Sequence, residues 1–211
     1  MNNIITGFKI SDIRPYKIGI CGGTGTGKTT LSHNIVRDFS ARRYSIGAIG
    51  RAAAKCFVKT NRSVYKPDLD FFAGLLNTGA LIPDIESGEL EQLGLYRLES
   101  LHLLKNHNVR SLTRDYLKRL ICTPSGKKIH ILEMHAVRSG WWNLDIIINL
   151  YCSQVTQALR KNISIEQAGF HNYIDRTNGG YPDSAIRLNT DMMGIEALHF
   201  TVGNILRARV I

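Results

Sequence analysis

Apolar positions fall in short blocks whose spacing changes along the chain. Residues 17–21 (KIGIC) form a brief apolar run that stops at a glycine-rich segment. Beyond it, Leu31, Ile35, Val36 and Phe39 recur at helical spacing along one stripe. Strand, glycine loop and amphipathic helix, in that order, predict the opening of a parallel α/β fold. Residues 43–49 (RYSIGAI) read as a second short strand and 51–59 (RAAAKCFVK) as a helix. Between 68 and 122, Gly79, Pro83, Gly88 and Gly94 punctuate helical stretches, the strongest at 109–121. A turn at 123–128 introduces IHILE (129–133), a strand that ends on a carboxylate. LDIIINLY (144–151) is the most strand-like run, and its unbroken apolar character fits a parallel strand covered on both faces. Helices follow at about 153–161 and 164–175, then a last strand at 184–190 and a closing helix at 194–209.

These elements predict a three-layer α/β fold with a parallel sheet of about five strands. Its core spans about 17–51 and 128–211, with a helical, acceptor-binding insert at about 52–127, all within one domain over 1–211. Hydrophobic residues make up 44% and charged residues 21%, which excludes a disordered chain. No apolar run reaches the ~18–20 residues that cross a bilayer, so no membrane partner is expected. Residues 1–17 lack the apolar core and cleavage site of a secretory signal. Cys21, Cys56, Cys122 and Cys152 show no CxxC spacing, so neither a zinc site nor a disulfide framework is expected. The picture is a soluble protein of the cytoplasm or another reducing compartment.

The net charge of +10 is unevenly placed. Residues 1–66 carry twelve Lys or Arg against Asp12 and Asp38, residues 67–104 hold seven acids against Arg97, and 105–128 hold seven bases against Asp115. A basic surplus suits an anionic partner, a nucleotide or a nucleic acid. No aromatic-rich RNA-reading signature accompanies it, which favours a small-molecule nucleotide over a polynucleotide.

Gly22-Gly23-Thr24-Gly25-Thr26-Gly27-Lys28-Thr29 fits G-x-x-x-x-G-K-[ST] and is followed by Thr30. The pattern has a physical reason. Glycines let backbone N–H groups turn inward around phosphate oxygens with no Cβ in the way. The helix beginning near Lys28 adds its partial positive charge and unpaired N–H groups. Lys28 reaches the β- and γ-phosphates as a point charge, and the Thr29 hydroxyl can ligate Mg²⁺. ATP and Mg²⁺ are therefore the expected ligands, held by Gly22 to Thr30.

With this loop so near the N-terminus of a short chain, the sequence resembles P-loop nucleoside monophosphate kinases. Ser45-Ile-Gly-Ala-Ile-Gly-Arg51-Ala-Ala is similar to a segment of cytidylate kinases whose arginine grips the acceptor monophosphate, although Ile46 and Gly50 depart from that pattern. Asp175-Arg176, with Pro182 following, resembles the stretch that holds the cytidine end of the acceptor, with Asn178 in place of a second arginine. Ala185 to Asp191 and Gly194 to Leu198 resemble the family's last strand and closing helix. Glu133 through Arg138-Ser-Gly-Trp141 can be read as the Glu-Gly-Arg-x-x-Gly-Trp of archaeal-type cytidylate kinases with a small insertion. The region from Glu133 to the SIEQA stretch also looks like dephospho-CoA kinases, but the acidic residues those carry after strand two are missing from Ser45–Arg51. The resemblance spans about 17–60 and 128–207.

It implies roles for further residues. Glu133 would hold a water on Mg²⁺ beside the phosphate loop. Arg51 and Arg138 would take the acceptor phosphate, and Asp175 the base. Arg160, with Lys161 beside it, and Arg176 are the cations that would stabilise the transferring phosphoryl group. One arginine and one lysine make a sparse lid, so a nucleotide-binding assembly or regulatory protein with degenerate kinase chemistry stands as a further alternative. Trp141 and Trp142 are expected to anchor a loop by packing, and His130 and His135 to be structural.

Overall fold

The computed structural model describes residues 14–123, 125–135, 142–169 and 185–210. The chain opens with strand β1 (Tyr16–Gly22), helix α1 (Lys28–Phe39), strand β2 (Arg42–Ser45) and helix α2 (Ile46–Lys59). Helices α3 (Leu69–Asn77), α4 (Ile82–Ser87), α5 (Glu89–Gln92), α6 (Arg97–Lys105) and α7 (His107–Cys122) lead to β3 (Ile129–Met134). Then come β4 (Ile146–Tyr151), α8 (Gln154–Lys161), the helical residues 165–169 (α9), β5 (Ile186–Asn189) and α10 (Ile195–Val210).

The five strands form one sheet in the order β2-β3-β1-β4-β5, every neighbouring pair parallel. β1 lies in the middle, with Ile20 opposite Glu133 of β3 and Ile148 of β4. Side-chain alternation sends Ile18, Ile20, Ile131, Ile146 and Ile148 to the face covered by Leu31 and Ile35 of α1 and Leu198, Val202 and Leu206 of α10. Cys21, Tyr44, Leu132 and Met134 point to the other face, against Ile49, Ala53 and Phe57 of α2 and Leu103, Val109 and Leu117 from α6 and α7. The result is a three-layer α/β fold. Each fully buried Ile or Leu in these layers contributes about 1.5–3 kcal/mol. None of the described helices is long and apolar enough to cross a membrane.

Three boundaries differ from expectation. The second strand stops at Ser45 rather than running to residue 49. Ser45 Oγ accepts from the Ala48 N–H at 3.3 Å, an N-cap that turns Ile46 to Ile49 into the first turn of α2. Alanine-rich residues 52–54 then carry the helix on, so the helix expected at 51–59 begins at 46. β4 starts at Ile146 because Asp145 ends the preceding loop, its carboxylate accepting from Lys17 N–H and from Arg14. The last strand is shorter too, Ile186–Asn189.

Candidate active site

The carboxyl ends of β1, β3 and β4 meet where the chain order reverses across the sheet, the usual place for a ligand in an open parallel sheet. The phosphate loop leaves β1 there. Gly22 has φ 145°, and a Cβ on it would lie 2.1 Å from the Leu150 carbonyl oxygen of β4. No other residue fits. Its N–H donates to His135 O at 3.1 Å, so the loop is pinned between β3 and β4. Gly25 and Gly27 are left-handed, with φ 80° and 89°, which gives the loop its curl. Thr26 Oγ1 donates to Gly23 O at 2.9 Å and Lys28 Nζ donates to the same oxygen at 2.6 Å. α1 starts at Lys28 with no side-chain cap and no acidic residue in its first turn, which leaves the helix's positive end for an anion. Thr24 sits in the turn of the loop and Thr30 in the first turn of α1.

Beside the loop, Thr29 Oγ1 donates to Glu133 Oε1 at 2.7 Å. The other carboxylate oxygen of Glu133 accepts from Arg43 Nε at 2.8 Å, while Arg43 Nη1 donates to Glu91 Oε2 at 2.6 Å. Glu91 Oε1 in turn accepts from Arg51 Nη1 at 3.2 Å. Thr29, Glu133, Arg43, Glu91 and Arg51 thus form one chain of contacts from the phosphate loop to the helical insert. The Arg43 and Glu133 side chains are only 8% and 7% exposed, so these are charges largely out of water. Burial pushes the Glu133 carboxyl up, but the Arg43 charge and hydrogen bond, the Thr29 hydroxyl and Lys28 outweigh it and hold it below the ordinary value. Glu133 is therefore anionic at neutral pH. Arg43 is held charged in the same way, its two carboxylate partners outweighing burial.

Of the residues expected from sequence, the loop, Thr29 and Glu133 come together at one place. Arg51 lies on α2, joined to them through Glu91 and Arg43. Arg160, on α8, has a different set of contacts from those of an outlying lid. Its Nη1 donates to Gly25 O at 3.2 Å and to Thr190 Oγ1 at 3.1 Å, and its Nη2 to Thr190 O at 2.7 Å. It ties the loop to the segment after β5. A Cβ on Gly25 would come within 3.3 Å of the Gln157 backbone and 3.4 Å of Lys161 Cγ, so α8 packs directly on the loop. Arg138, Asp175 and Arg176, with Trp141, lie outside the described residues. Trp142 is buried in the core on the insert side, and His130 is held by Ser125 and the Ile121 carbonyl, both packing roles.

Two participants escape the sequence reading, Arg43 and Glu91. Arg43 stands in a strand with no motif around it, and the only hint is a charge inside a short sheet strand. Glu91 belongs to the stretch 61–127 that resembles nothing, and only the fold carries it to β2.

The chain matches no family model and no curated protein. Among solved structures it is similar to TT1252 from Thermus thermophilus, with 18% identity over 93% of this chain and 99% of that one and a TM-score of 0.49. A putative kinase from Chloroflexus aurantiacus shares 14% identity over 92% of this chain and 97% of that one, TM-score 0.46. A sugar kinase from Janibacter shares 11% over 92% and 96%, TM-score 0.45. At these identities and scores they assign no role to any residue of this chain.

Proposed function

We propose that this protein transfers a phosphoryl group from ATP to a small acceptor, a pyrimidine nucleoside monophosphate such as CMP or dCMP. The observation that carries the reading is the Thr29–Glu133 contact of 2.7 Å beside a glycine loop that ends in Lys28. A hydroxyl and a carboxylate kept anionic are hard oxygen donors that fit Mg²⁺, which at nucleotide sites takes few protein ligands and completes its shell with water and phosphate oxygens. Bound there, Mg²⁺ supplies neutralisation of charge on the β- and γ-phosphates. Thr29 would hold the ion directly and Glu133 through a water. Lys28 would exchange the Gly23 carbonyl for phosphate oxygens, and the loop N–H groups would hold the rest of the chain of phosphates. Arg51 and Arg138 would take the acceptor phosphate, Asp175 the cytosine edge and Arg176 charge on the transferring group, with Arg160 holding the phosphate loop in shape through Gly25 O and Thr190. Catalysis of this kind needs no covalent intermediate; it is positioning and charge neutralisation.

One observation favours a second reading. The carboxylate that dephospho-CoA kinases carry after strand two is absent from Ser45–Arg51, yet Glu91 is delivered to that place: a Cβ on Gly47 would lie 3.7 Å from Glu91 Oε1. There it could serve as base for a hydroxyl acceptor.

Calorimetry with ATP–Mg²⁺ on wild type and Lys28→Ala, followed by an acceptor panel in which ADP and phosphorylated product are both measured, tests these readings. The expected result is binding that Lys28→Ala removes, and ADP formation with CMP or dCMP. Turnover of dephospho-CoA alone would select the second reading. ATP binding with no turnover of any acceptor would make the chain a nucleotide-binding protein without kinase chemistry.

A further inference from the structure

The Arg43–Glu91–Arg51 cluster holds more donors than its carboxylate can use. Glu91 offers two oxygens, one to Arg43 Nη1 at 2.6 Å and one to Arg51 Nη1 at 3.2 Å. Arg43 Nη2 and Arg51 Nε are buried and have no hydrogen-bond partner among the described residues. Side-chain exposures of 8%, 10% and 19% for Arg43, Glu91 and Arg51 leave little water to satisfy them. Unpaired buried guanidinium N–H groups are costly, and paired forks of this kind match an anion with three oxygens and two charges better than a carboxylate.

We propose that Arg43 joins Arg51 in a binding site for a phosphate monoester, and that Glu91 is the internal occupant of that site, withdrawn when the ligand arrives. The inference rests on the phosphoryl-transfer reading for its biological ligand, the acceptor's phosphate, but not for its geometry. Charge requires the withdrawal. Two guanidinium groups already face Glu91 and Glu133, and a phosphate dianion added beside both carboxylates would leave the cluster repelling itself. The side chain, not the backbone, makes the move. Glu91 lies on the four-residue helix α5, which Leu90 anchors in the core, so the carboxylate withdraws by rotation about the side chain's own bonds. The arrangement also joins the two halves of the reaction. Arg43 holds Glu133 with Nε and Glu91 with Nη1, so one buried side chain would touch both the metal-side carboxylate and the incoming phosphate.

The test is calorimetry on the full chain without ATP, with inorganic phosphate, CMP and the uncharged nucleoside cytidine as probes. Glu91→Gln removes the competing charge and should tighten phosphate and CMP by about tenfold or more, leaving cytidine unchanged. Glu91→Asp keeps the charge but shortens its reach; it should give a smaller gain and serves if loss of the buried charge impairs folding. Arg43→Lys placed on Glu91→Gln should reverse the gain, because an ammonium lacks the fork. A gain for free phosphate but not for CMP would overturn the monoester assignment and make the site one for the inorganic ion. Unchanged or weaker phosphate affinity in both Glu91 variants overturns the proposal, and if turnover falls at the same time Glu91 is the base of the second reading. Failure of the phosphoryl-transfer reading shows elsewhere, as no ADP with any acceptor while the phosphate gain persists.

Discussion

The Thr29 hydroxyl meets the Glu133 carboxylate at 2.7 Å across 104 positions of sequence, which joins the start of α1 to the end of β3. The contact positions two oxygen donors beside the phosphate loop. Glu133→Gln and Thr29→Ala should each weaken ATP binding in the presence of Mg²⁺ by about 10–100-fold, the usual cost of disturbing a metal's supporting shell. Binding of ATP in EDTA should change far less. Equal losses with and without the ion, measured by calorimetry, would remove the pair from the metal site.

Glu133 also couples stability to pH. Its carboxyl is held below the ordinary 4.5 in the fold, burial being outweighed by Arg43, Thr29 and Lys28. The unfolded chain therefore takes up this proton first as pH falls. The stabilisation is fully present above about pH 4.5 and is lost progressively below it, through the lower folded value. Urea midpoints measured from pH 7 to pH 3 should fall more steeply below pH 4.5 in wild type than in Glu133→Gln, which cannot titrate there. Parallel curves would mean that Glu133 carries no such linkage.

Arg160 commits its guanidinium to Gly25 O in the loop and to the Thr190 hydroxyl and carbonyl after β5, so that it braces the loop against its neighbour. A side chain that holds the loop in shape acts on ground state and transition state alike. Arg160→Ala should then raise the KM for ATP by about tenfold with kcat changed less, the signature of lost uniform binding. A fall in kcat with ATP affinity kept would put Arg160 on the transferring phosphoryl group.

How much of this was legible before the fold was seen follows from the range of the interactions. Gly22 to Thr29 could be read because the phosphate loop is local: eight consecutive residues hold the chemistry, and strand and helix periodicity flank them. Glu133 was legible as a carboxylate at a strand end. Arg43 and Glu91 were not, because their meaning lies in a contact 48 positions apart that only the path of α3 to α5 creates. The end of β2 departs from the sequence pattern for a related reason: Ile46 and Ile49 suit a strand, and the Ser45 cap and the packing of α2 on the sheet override that preference.

Gly50 shows how closely the insert is fitted to α2. A Cβ on it would lie 2.4 Å from Ser100 Oγ and 2.7 Å from Leu104 Cδ1 of α6. In a free helix, Gly50→Ala would stabilise by about 1 kcal/mol through propensity. Here the methyl enters a packed seam, where overfilling costs about 1–3 kcal/mol, so the net effect should be destabilising or near zero. Gly50→Ala/Ser100→Ala removes the nearest atom and should recover part of the loss, since Leu104 meets the new methyl with the flexible end of its side chain. Affinity for ATP–Mg²⁺ should stay at the wild-type value in both variants, because the phosphate loop is held by β1, β4 and α8 rather than by α6. Urea denaturation of the two single variants and the double one measures the coupling. Additive losses would mean that the Ser100 hydroxyl does not set the α2–α6 spacing and that the backbones themselves do.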